Sequence, residues 1–122
     1  MNDDRAPAGD VRAELRDRLR DAMRGRDRPA MDVLRAALGA IDNAGAVHDD
    51  DRTQTERLNA AADAVDVPRR DVSEDEVRAI VSAELRDLEQ AAIQYRELGQ
   101  QDAAAKADHQ ASILLGVLGE TD

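Results

Sequence analysis

Apolar residues recur along this chain at helical spacing, never at strand spacing. Val11, Leu15, Leu19, Ala22 and Met23 fall at i, i+4, i+8, i+11 and i+12. That pattern predicts one amphipathic helix of about four turns over 10–26, with Asp10 as its N-cap. Asp27-Arg28-Pro29 is long enough only for a turn, and proline suits the first turn of a following helix. Met31, Leu34, Ala37, Leu38, Ile41 and Ala44 then mark a second helix over 29–45 that closes near Gly45. A link this short predicts an antiparallel hairpin.

A second pair of helices follows after a gap. Ser73-Glu74-Asp75-Glu76 spells a capping box, with Ser73 at N-cap and Glu76 at N3, and Val72 and Val77 stand where a hydrophobic staple needs them. Three acids in that first turn also suit the positive end of the helix dipole. The third helix covers 74–98, its apolar face running through Ile80, Val81, Leu85, Leu88, Ala92, Tyr95 and Leu98, with Glu84 at the edge of the stripe. Gly99 is its left-handed stop. The fourth helix covers 101–118 on Ala104, Ala107, Ala111, Leu114, Leu115 and Leu118. No segment alternates with turn chemistry at its ends. The expected fold is all-α: two antiparallel helical hairpins forming a four-helix bundle within one domain over 10–118.

Three segments fall outside this pattern. Residues 1–9 carry Pro7 and Gly9 and read as a flexible arm. Residues 119–122 form a polar C-terminal end. Residues 46–72 make a long insertion between the second and third helices, expected to be partly ordered. It opens on His48-Asp49-Asp50-Asp51, a polar loop. It then offers a short helix over 54–65 on Leu58, Ala61, Ala62 and Val65, after the capping-box spacing of Thr53 and Glu56. Val67-Pro68 returns to extended chain.

Composition narrows this picture further. Of 51 apolar residues in the 122, 23 are alanine, so the core is thin and the helices must approach closely. The chain has no cysteine, so disulfides, thiolate metal sites and a cysteine nucleophile are ruled out. Its one aromatic residue, Tyr95, cannot build a base-stacking platform. No apolar run approaches the roughly 20 residues that span a bilayer. Met1-Asn2-Asp3-Asp4 does not read as a signal peptide. The expected location is the cytoplasm, with no membrane partner.

Net charge is −10, which argues against a general nucleic-acid binder. The charge is uneven, however. Residues 11–35 hold eight arginines against five acids. Arg12, Arg16, Arg20 and Arg24 recur at i+4 and form one stripe beside the apolar face of the first helix. Such a stripe suits phosphate contact. It also suits ordinary helix surface, because Glu14, Asp17 and Asp21 interleave and can pair at i+3 or i+4. Arg69-Arg70 is a second, smaller basic spot. No other chemistry stands out. The glycines are scattered, so there is no phosphate loop. His48 and His109 lack a second histidine at helical spacing and read as solvated. Asp49–Asp51 lacks the glycine and alternating ligands of a calcium loop. The acids of the third helix come without a Glu-x-x-His motif. No catalytic residue, metal or cofactor is expected.

The order of these motifs resembles a known family. Leu34-Arg35-Ala36-Ala37-Leu38-Gly39-Ala40-Ile41-Asp42-Asn43-Ala44 is similar to the second-helix signature of the GatB/YqeY family. Val67-Pro68-Arg69-Arg70, Ser73-Glu74-Asp75-Glu76-Val77 and Tyr95-Arg96-Glu97-Leu98-Gly99 follow in that family's order. The likeness covers about 11–118 and is nearest to the YqeY-like subset. It implies a helical domain of the kind found in the C-terminal region of the B subunit of the tRNA-dependent amidotransferase. That enzyme is a carbon–nitrogen ligase with glutamine as amido donor. The implied role is therefore accessory, linked to tRNA or to an amidotransferase complex. Catalysis does not come with the shared segment, and the single lysine, Lys106, has no serine–serine–lysine setting. Family members usually continue into a smaller helical tail, which this chain is expected to lack. The other expectation is a protein-interaction or self-associating helical module that binds no nucleic acid.

Overall fold

The computed structural model describes residues 10–46 and 71–119. Four helices form where the apolar periodicity puts them: α1 Val11–Gly25, α2 Arg28–Gly45, α3 Glu74–Glu97 and α4 Gln101–Leu118. They make an all-α four-helix bundle, and there is no strand among the described residues. The insertion expected over 46–72, the N-terminal arm and residues 120–122 lie, apart from Ala46, Asp71 and Val72, outside the described residues.

The helix ends follow the caps expected from the sequence with one exception, and α4 starts at Gln100 without a side-chain cap. Asp27 caps α2, its Oδ1 accepting from the Ala30 N–H at 3.1 Å. Ser73 and Glu76 complete the capping box in both directions, each bond 3.1 Å. Gly99 takes a φ of +76°, and the Gln100 N–H reaches back to the Tyr95 carbonyl at 2.8 Å. The exception is α1. Asp10 stands at the N-cap but its side chain makes no capping bond. The Val11 N–H donates instead to Glu74 Oε2 at 3.2 Å, so the first turn of α3 caps α1 from across the bundle.

The α1–α2 turn has the same form as the α3–α4 turn, displaced by one residue. The left-handed position falls on Arg26, at φ 57°, and not on its neighbour Gly25. The Asp27 N–H closes the motif on the Ala22 carbonyl at 2.9 Å.

The hairpins pack together around Leu15, Leu34, Ile41, Val77, Val81 and Leu114, each fully buried. Val11 meets Glu74 at one end of the bundle, and Arg78 Nη2 donates to the Leu118 carbonyl at 2.8 Å near the same end. This end is the root. The α1–α2 turn lies against α4 further along. His109 Nε2 stands 2.8 Å from Asp27 Oδ2, and Gln110 Nε2 donates to the Pro29 carbonyl at 3.0 Å. Residues 101–108 of α4 therefore continue about 12 Å past the turn, beside the end of α3, where Arg96 Nη1 meets Asp108 Oδ2 at 2.8 Å. This overhang is the tip. Its buried residues are alanines, Ala92, Ala104 and Ala107. The apolar face expected to run on through Tyr95 and Leu98 has no helix to cover it there. Leu98 is 70% exposed, Ile93 53% and Tyr95 37%. Met23, at the end of the α1 face, is also half exposed.

Candidate nucleic-acid interface

The apolar side of α1, carrying Val11, Leu15 and Ala22, is buried and fixes where its charges point. One flank then carries Arg12, Arg16, Arg20 and Arg24. The other carries Glu14, Asp17 and Asp21, with Arg18 among them. Arg16, Arg20 and Arg24 are exposed, and Arg12 is half-buried. The fold thus keeps the predicted stripe on a solvent-facing flank. Arg69 and Arg70 lie outside the described residues.

The pairing expected at helical spacing is present. Arg18 Nε lies 2.8 Å from Glu14, Arg20 Nη2 lies 2.6 Å from Asp17, and Arg24 Nη1 lies 2.9 Å from Asp21. Arg12 and Arg16 make no ion pair among the described residues. Arg18 also lies over α4. A Cβ at Gly116 would stand 2.8 Å from its Nη1, so glycine leaves room for the guanidinium against the helix.

The acidic flank borders a cleft of about 610 Å³. Glu14, Asp17, Asp21 and Asp27 line it together with Leu34 and Ile113. Every one of these carboxylates already has a basic partner, three arginines and His109. The hydrogen bond from His109, and then that from the Ala30 N–H, hold the Asp27 carboxyl below its ordinary value. His109, which reads as solvated in the sequence, thus has a fixed partner 82 positions away. No local signal marks that pair. His48 and Asp49–Asp51 lie outside the described residues. Among the described residues no group of three or more His, Cys, Asp or Glu side chains could hold a metal ion. No described helix is long and apolar enough to cross a membrane.

The chain matches no family model, no curated protein and no solved structure. The GatB/YqeY likeness therefore stands on the motifs quoted above.

Proposed function

We propose that this chain is a YqeY-like accessory domain of the cytoplasm, acting beside tRNA or a tRNA-dependent amidotransferase complex without catalysis of its own. The order of four motifs along the chain supports the family. The observation that carries the activity is the exposed arginine flank of α1, a local excess of positive charge in a chain of net charge −10. Arginines on one face of a helix can each contact a phosphate along a polyanion. Such contacts release counterions, so they weaken steeply as salt rises. Fluorescent bulk tRNA titrated at low and physiological salt tests this. The expected result is micromolar binding that weakens with salt and is lost in Arg12→Glu/Arg16→Glu. No binding at low salt would remove nucleic acid from the account.

The tip favours a second reading. Ile93, Tyr95 and Leu98 stand exposed where the bundle has only two helices. They suit a protein-interaction or self-associating module. A melting temperature that rises with protein concentration, and stops doing so in Leu98→Glu, would support self-association. A concentration-independent melting temperature would oppose it.

A further inference from the structure

We infer that Asp17 and Asp21 mask the second half of the arginine flank, leaving Arg12 and Arg16 to carry the phosphate contact. This rests on the phosphate-binding reading above and refines it. Arg20 and Arg24 are held by Asp17 and Asp21 at 2.6 and 2.9 Å. Both pairs are exposed, with side chains 62–74% accessible, and exposed pairs hold weakly. Pair strength is therefore not the mask. Position is. Residues three apart on a helix keep their Cβ atoms within about 5–6 Å of each other. A phosphate arriving at Arg20 meets the Asp17 carboxylate against the guanidinium itself, and one arriving at Arg24 meets Asp21.

Arg12 and Arg16 have different neighbours. Within α1, Arg12 faces Leu15 and Arg16 at i+3 and i+4. Arg16 faces Arg12, Ala13, Leu19 and Arg20. No acid of α1 stands three or four residues from either. Arg18 cannot substitute, because Glu14 holds it and its guanidinium lies against Gly116 of α4. Arg26 and Arg28 make no ion pair among the described residues, but they bracket Asp27 at the far end of α1. The two acids thus set how many phosphates the flank can engage. Removing them should convert a weak site into a stronger one.

The test is a salt series of bulk-tRNA titrations on the whole chain. Each phosphate contact contributes about 0.7–0.9 to the slope of log K against log salt. The wild type should show a slope of about 1–2 in magnitude. Asp17→Asn/Asp21→Asn should bind roughly three- to tenfold more tightly, with the slope steeper by about 1–2. Asp87→Asn/Glu89→Gln makes the same charge change on exposed positions of α3. It should move affinity by less than about twofold. Equal tightening in both variants, or a wild-type slope of about 3 or more, would overturn the mask while leaving phosphate binding in place. No binding by any of the three proteins at low salt would overturn both.

Discussion

The root and the tip of this molecule use the same two helices and differ in what lies beside them. At the root, α3 and α4 meet a second hairpin, and Val77, Val81 and Leu114 are fully buried against Leu15, Leu34 and Ile41. At the tip the apolar stripe of α3 continues in phase, yet Tyr95 and Leu98 are exposed. Periodicity names a face. Only a partner turns that face into a core. The tip holds together because Ala92, Ala104 and Ala107 let two backbones approach closely enough to seal without a third element.

The contrast can be broken most sharply with leucine deletions. Leu34→Ala, at a fully buried site, should destabilise the fold by about 2–5 kcal/mol. Leu98→Ala should change it by less than about 0.5 kcal/mol. Urea unfolding midpoints measure both, and similar losses would mean that the tip is covered in solution. Next comes the alanine seam. Ala107→Leu forces extra volume between α3 and α4 and should cost about 1–3 kcal/mol. An unchanged melting temperature would show that the seam is loose.

The two turns offer a smaller comparison. Each puts one residue in the left-handed region, Arg26 at the α1–α2 turn and Gly99 at the tip. Gly99→Ala should cost about 1 kcal/mol, whereas Arg26→Gly should gain roughly 0.5 kcal/mol, less than the full strain because glycine loses more chain entropy. Opposite signs in thermal denaturation check the pair.

The last prediction concerns the boundary. Asp27 titrates below its ordinary 3.8 because of His109 and the Ala30 N–H. A depressed acid contributes stability that is full above the unfolded value and is lost as pH falls through the folded one. Asp27→Asn keeps a capping side chain and does not titrate. Its stability should fall less than that of the wild type between about pH 5 and pH 2. Parallel acid-unfolding curves would show that the contact with α4 contributes nothing.

Local signals made most of the fold legible. The capping box at Ser73, the stop at Gly99 and the four apolar faces are each written within a few residues, and the helix bounds follow within one or two. Hidden features depend on residues far apart in sequence. Asp10 sits where a cap belongs, but Glu74 takes the bond to α1, because packing brings the two helix starts together. The Asp27–His109 contact is silent for the same reason. Of the candidate site, the stripe and its i+3 pairing could be read from spacing alone. Which arginines are paired needed the structure, since spacing alone lets Asp21 serve either Arg18 or Arg24.

The alanine seam also bears on how the molecule responds to temperature. Heat capacity rises on unfolding in proportion to the apolar surface newly wetted, and alanine contributes little of it. The overhanging part of α3 and α4 should therefore add less than the usual roughly 12–15 cal/mol/K per residue. Its part of the stability curve would be less strongly curved, so it would lose less stability on cooling than the root does.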